Sequence, residues 1–319
     1  DTLRFTLTAL LNPGRDVKLA EDRVKGYKSF TNKIWNAANF LNLNNVKFID
    51  QIDTKIINLD SSKWILKEFE EVQKKYFANI EKYQFHEIAS LIYHFTWHTF
   101  CDWYIELSKN LLDSKEYRDE TKYTFHLVFN SLLQLLHPII PFVTEKLWSL
   151  NNNDILMTHQ WDYKDIKIDQ MSVSKSKDFI DFIEEYRSFE KLFDIKKDDK
   201  VLIYSNNKDL QNLFNQNKEV LEFLTRKELS SNPLSKGITL PFNKYDFVLE
   251  TNQIDKIKIQ SKLSDNQKSL QKEKLVIDKN LSNSNFVERA PKELIEQNQK
   301  RQVSINLELS KIQSILNNL

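Results

Sequence analysis

Three glycines in 319 residues constrain this chain more than any other feature of its sequence. Gly14, Gly26 and Gly237 stand far apart, whereas a dinucleotide fold or a phosphate-cradling loop needs clustered glycines where backbone N–H groups close on the phosphates. Both are thereby excluded, and long stretches read as helix instead. The length allows two or three domains with a sizeable core. The single cysteine, Cys101, excludes an internal disulfide framework and fits a reducing compartment. The longest apolar runs, such as "LLQLLHPIIPFV", are broken by Gln, His and Pro and fall short of the roughly 20 residues of a membrane span. No signal-peptide pattern opens the chain, so no membrane partner and a cytoplasmic location are expected. Net charge is +1, so a nucleic-acid surface would have to be local.

The opening run "LRFTLTALL" alternates weakly, as a strand does, and ends in the turn signal Asn12-Pro13-Gly14. From Ala20 the pattern becomes helical. At about 100° per residue, Tyr27, Phe30, Thr31, Ile34, Ala37, Ala38 and Leu41 fall on one apolar stripe. A second helix is expected after the cap candidates Asp60, Ser61 and Ser62, carrying Leu66, Phe69, Val72 and Ile80. The third, "FHEIASLIYHFTWHTFCDWYIELSKNLL", is apolar on most sides and suits the centre of a bundle. A fourth runs from about Tyr117 until Pro138 and Pro141 end or kink it, and a short helix follows through Glu145 and Trp148. Residues 20–164 therefore predict an antiparallel helical bundle, with Trp35, Trp97, Trp103, Trp148 and Trp161 as anchors.

Residues 165–254 predict a small α/β module. It holds a helix in "KDFIDFIEEYRSFEKLF", a strand in "DKVLIYS", one helix in "KDLQNLFNQNKEVLEFLT" and a strand in "KYDFVLE", with loops containing Pro233, Gly237 and Pro241. In residues 255–319, Leu263, Leu270 and Ile277 recur every seven residues, and Ile305, Leu309, Ile312, Leu316 and Leu319 alternate by four and three, a heptad seam. Between them "LSNSNFVERAP" supplies a turn and a proline suited to a first helical turn. Two helices of about 27 residues would make a coiled-coil hairpin on the order of 40 Å long. The fold class expected is mainly α: a bundle, a small α/β connector and a coiled-coil arm.

Candidate chemistry concentrates on helices. Lys33, Asn36 and Phe40 lie together, roughly 100° to 160° away from the apolar stripe. A cation, an amide and an aromatic ring in one place suit phosphate, a base edge and a base face of unpaired RNA. The alternative is that Phe40 packs on a neighbouring helix while Lys33 and Asn36 are solvated. Residues from 255 onward hold 12 Lys and Arg against 8 Asp and Glu, and such a row either meets phosphates or is a solvated face. His94 and His98 have a zinc-compatible spacing, but no third ligand or Glu accompanies them, and a packed pair is expected. Cys101 reads as a core residue. No catalytic and no metal-binding residue is assigned.

Four stretches, "DTLRFTLTALLNPGRDVKL", "NKIWNAANF", "FTWHTFCDWYIEL" with "LHPIIPFVTEKLW", and "NFVERAPKELIEQ", resemble in order and spacing the C-terminal part of bacterial-type valyl-tRNA synthetases, class I aminoacyl-tRNA synthetases. The resemblance covers essentially the whole chain. It implies that residues 1–19 are a junction following a catalytic domain not contained here, that 20–164 bind the anticodon region, and that the hairpin reaches the tRNA elbow. The anticodon contacts implied are Lys33, Asn36, Asn39 and Phe40, Asn39 standing where the family commonly has Arg. The elbow and backbone contacts implied are Lys262, Lys268, Lys272, Lys279 and Arg289. Arg15 and Asp16 would brace the junction between domains. The partners implied are tRNA(Val) and the catalytic domain of the same polypeptide. ATP and Mg would serve that domain, and no cofactor is expected in this chain. A monomer is expected. Rival readings are the same region of a class I synthetase for isoleucine, leucine or methionine, and a helical coiled-coil scaffold.

Overall fold

The computed structural model describes residues 1–11, 19–46, 56–160, 170–234, 237–243, 245–250, 255–283 and 290–319. These fall into two compact units, Asp1–Ile180 and Asp181–Leu319, which divide inside a long helix.

The first unit is a helical bundle: α1 (Thr2–Leu10), α2 (Glu21–Leu43), α3 (Asp60–Glu81), α4 (Phe85–His94), a π-helical segment (Phe95–Tyr104), α5 (Ile105–Asp113), α6 (Arg118–Leu136) and α7 (Pro141–Trp148). The strand-like reading of the opening run is corrected, because it forms α1. Alternation is outweighed there by packing. Phe5 is buried with its ring 5.1 Å from Tyr27 and 4.8 Å from Phe30, and an isolated strand on helices would leave its backbone groups without partners. Asp1 accepts from the backbone N–H groups of Phe142 and Val143, and Arg4 donates to the carbonyls of Ile139 and Pro138.

The apolar stripe of α2 is borne out at Phe30, Ile34, Ala37, Ala38 and Leu41, all buried. The expected caps of α3 are not. Leu59 is the N-cap, the helix begins at Asp60, and Ser62 is buried within it, while Glu120 accepts from the N–H groups of Asn58 and Leu59. The long central helix exists as α4, the π segment and α5 in continuous succession. Its Phe100 and Tyr104 pack on the fully buried Phe125 of α6, at 5.9 Å and 4.7 Å between ring centres. Each such ring removed from water contributes about 1.5–3 kcal/mol. Pro141 opens α7, where its missing N–H costs nothing. Trp64, Trp103 and Trp148 are core residues and Trp97 is half-buried, but Trp35 lies on the surface, so its reading as an anchor is corrected. Trp161 is outside the described residues.

The second unit is built on a four-stranded sheet of order β2-β1-β4-β3, with β1 (Leu202–Tyr204), β2 (Glu228–Leu229), β3 (Ile238–Phe242) and β4 (Tyr245–Glu250). β1 pairs parallel to β2 and antiparallel to β4, which pairs antiparallel to β3. The helix α8 (Gln170–Phe193) crosses the unit boundary. Its Phe182 packs against Phe214, Phe242 and Phe247. The single helix expected in "KDLQNLFNQNKEVLEFLT" is two, α9 (Lys208–Gln216) and α10 (Lys218–Thr225), interrupted at Asn217, and β2 and β3 join the two strands expected. Pro241 is in β3 rather than a loop. β3 pairs on one side only, and an edge strand tolerates a residue that cannot donate. Gly237 is required where it stands: an added Cβ would lie 2.1 Å from Val248 Cγ1 and 2.9 Å from the Leu249 carbonyl oxygen.

The chain ends in the expected hairpin, α11 (Lys256–Ser282) and α12 (Lys292–Asn318), each of 27 residues. Ile259, Leu263, Leu270 and Ile277 form the seam of α11. On α12 the buried residues are Ile305, Ile312 and Ile315, so Ile315 takes the central position expected of Leu316. The hairpin base is tied to the rest of the unit by Lys311 to Glu185 at 2.8 Å and by Asn318 donating to the Thr239 carbonyl.

Candidate nucleic-acid interface

The residues expected to meet an anticodon all stand on α2, but the fold gives them different surroundings. Lys33 Nζ is 2.7 Å from Asp102 Oδ1 and 5.1 Å above the Trp97 ring. The π segment makes this seat. Residues five apart come nearly into line when the helix widens to i→i+5 bonding, so Trp97 and Asp102 both reach Lys33. No sequence periodicity announces a π segment, and the pair was not legible beforehand. Asp102 Oδ2 also lies 3.4 Å from His98, whose ring stacks on His94. Phe40 is half-buried, its ring edge-on to Phe125 at 6.1 Å. Asn36 and Asn39 are exposed, and neither amide is spent in a hydrogen bond among the described residues. The structure thus keeps Asn36 and Asn39 open, engages Lys33 in an ion pair and packs one edge of Phe40.

Cys101, buried beside this cluster, is a core residue; burial pushes its thiol up to about 12. Among the described residues no group of three or more His, Cys, Asp or Glu is arranged to hold a metal ion.

On the arm the two helices divide their charges unequally. Two acidic side chains of α11 turn toward α12. Glu273 takes a two-bond contact from Arg301 at 2.7 and 2.9 Å, and Asp278 accepts from Gln302. Arg301 also reaches Glu308 at 3.0 Å, and its hydrogen bonds hold the Glu273 carboxyl below the usual range. Lys262, Lys268, Lys272 and Lys279 are exposed and hold no ion pair among the described residues. Lys268, Lys272 and Lys279 lie four and then seven residues apart, on one face of the helix. The result is an outer α11 surface whose cations are unspent. Leu275 and Val276 lie among them, 69% and 60% exposed. Arg289, Arg15 and Asp16 lie outside the described residues, as does Phe286.

A family model for the anticodon-binding domain of tRNA ligase matches residues 62–204, the stretch that follows α2. Residues 62–204 thus carry the anticodon-binding domain found in tRNA ligases. A second model, the valyl tRNA synthetase tRNA binding arm, matches residues 255–319, which hold the hairpin. A valine–tRNA ligase of Pelagibacter ubique is 39% identical over 311 residues, spanning 93% of this chain and 35% of the relative. That of Zymomonas mobilis is 31% identical over 333 residues, spanning 100% and 38%. The chain is thus similar to valine–tRNA ligases along nearly its whole length. The chain spans about a third of the length of these relatives. A solved LeuRS chain from Agrobacterium radiobacter K84, in a ternary complex, overlaps 54% of this chain and 20% of its own at TM-score 0.38 and 16% identity, too distant to carry an argument. No helix among the described residues is long and apolar enough to cross a membrane.

Proposed function

We propose that this chain is the tRNA-gripping part of a valine–tRNA ligase, which attaches valine to tRNA(Val) with ATP. The observation that carries this is the arm: a hairpin matched to the valyl tRNA synthetase tRNA binding arm, in which Glu273 and Asp278 of α11 bond across to α12 while Lys262, Lys268, Lys272 and Lys279 stand exposed. Outward cations release counterions when they meet phosphates, which supplies affinity without regard to sequence. In this reading Lys262, Lys268, Lys272, Lys279 and Arg289 meet the elbow, and Lys33, Asn36, Asn39 and Phe40 the anticodon region.

Chemistry belongs to a catalytic domain of the same polypeptide, where ATP and Mg act. Arg15 and Asp16 brace the junction to it. The protein works as a monomer in the cytoplasm. The test is to titrate the full chain with transcripts of valine, isoleucine and methionine tRNAs, following complex formation by sedimentation. Tightest binding to the valine transcript, by a protein that stays monomeric alone, is the expected result. A chain that self-associates and ignores RNA would be a coiled-coil scaffold, and the proposal would fall.

A further inference from the structure

Where α1, α2 and α4 meet in the first unit, a cavity of about 460 Å³ opens on the surface, inside the range of about 300–1,000 Å³ that holds small ligands. It lies at the N-terminal end of α2, on the side packed against α1 and α4, about 20 Å along the helix from Asn39. Buried Phe5 and half-buried Tyr27 and Tyr93 make one aromatic wall, with ring centres 5.1 Å apart for Phe5 and Tyr27 and 5.9 Å for Tyr27 and Tyr93. Arg23, Ser90 and His94 stand exposed around it. Among the described residues no side-chain hydrogen bond occupies any of these three, nor either tyrosine hydroxyl.

Gly26 lines the same cavity from within α2, where glycine is less favourable than any residue but proline. Packing does not require it, since an added Cβ would find no atom within 4 Å. The missing side chain instead leaves room for a guest to close on the helix. A local choice that works against the fold, with no packing gain, marks a place where something else is served. The unspent groups define what fits. A flat ring matches the aromatic wall, and an anion matches the guanidinium, whose planar fork suits phosphate. Side chains make this site, so no glycine-rich loop of backbone N–H groups is needed.

We propose that the cavity binds a nucleoside monophosphate, with its base on the Phe5, Tyr27 and Tyr93 wall beside Gly26, its phosphate on Arg23, and Ser90 and His94 meeting its sugar hydroxyls. A free nucleotide and an unpaired residue of an RNA present the same chemistry. This site is separate from the anticodon and elbow contacts above and does not depend on them.

The test is equilibrium dialysis of the full chain against adenosine monophosphate, with adenosine and inorganic phosphate as separate probes. The monophosphate should bind saturably at one site, and more tightly than either part alone. Arg23→Gln should weaken it by about ten- to a hundred-fold, the range for losing one charged hydrogen bond, while adenosine, which carries no phosphate, binds as it does to the parent. Gly26→Leu should fill the cavity and abolish binding while the melting temperature holds or rises, because Leu is the better helix former and its Cβ meets open space. Should Gly26→Leu melt lower, Arg23→Gln, a surface change, decides. A valine tRNA transcript that displaces the monophosphate identifies the guest as an RNA residue, and one that binds alongside it identifies a free nucleotide; the site stands in both cases. No saturable uptake of the monophosphate overturns the assignment. So does uptake left unchanged by Arg23→Gln, or by a normally melting Gly26→Leu.

Discussion

Replacing Lys268, Lys272 and Lys279 together by Gln isolates the electrostatic work of the arm. The three ammonium groups are exposed and outside every ion pair among the described residues. Their removal therefore breaks no internal contact, and Gln keeps a similar helix propensity. The contacts that set the hairpin register, Arg301 to Glu273 and the buried Leu270 and Ile277, stay untouched. Stability should stay within about 0.5 kcal/mol of the parent, as at other surface sites.

From Lys268 to Lys279 the helix rises about 16 Å, far enough to lie along several phosphates. If each lysine neutralises one phosphate, the slope of log affinity against log salt becomes shallower by about 2.7. Over a fourfold rise in salt, from about 50 to about 200 mM, the parent should then lose roughly 40-fold more affinity than the variant. Filter binding of a full-length valine tRNA transcript across that range measures it. A slope within about half a unit of the parent's, in a variant that melts normally, would remove these lysines from the RNA contact. It would also show that unspent cations on this face do no electrostatic work.

Two further predictions concern the fold. Lys227, only 3% exposed, donates from Nζ to the carbonyls of Lys196, Lys197 and Asp199 at 2.7, 3.1 and 2.9 Å, pinning the loop before β1. Lys227→Met should cost about 3 kcal/mol at roughly 1 kcal/mol per acceptor lost, and urea unfolding monitored on the second unit checks it; a change under about 0.5 kcal/mol would mean that water replaces the ammonium freely. Cys101 is 6% exposed with its thiol raised to about 12, so a thiol reagent at mildly alkaline pH should label the native chain only as fast as the bundle opens. Labelling within seconds, without denaturant, would contradict its place in the core.

The arm was legible in sequence because a helix announces itself through the spacing of its own apolar residues. Leu263, Leu270 and Ile277 gave the seam of α11, and the two helices are each 27 residues long. The stripe of α2 and the proline stop after α6 follow from the same short-range rules. Periodicity cannot report what lies across from a residue. α1 is a helix because Phe5 has Tyr27 and Phe30 to pack on, against the alternation of its own sequence. Lys33 is held by Asp102 because a π segment, invisible in the pattern, brings Trp97 and Asp102 onto one side. Trp35 read as an anchor from its residue type alone, although the stripe of α2 already set it off the packed side, and the structure leaves it on the surface. Local periodicity fixes which residues can share a face, and long-range packing decides which of those faces is filled and which stays open to a partner.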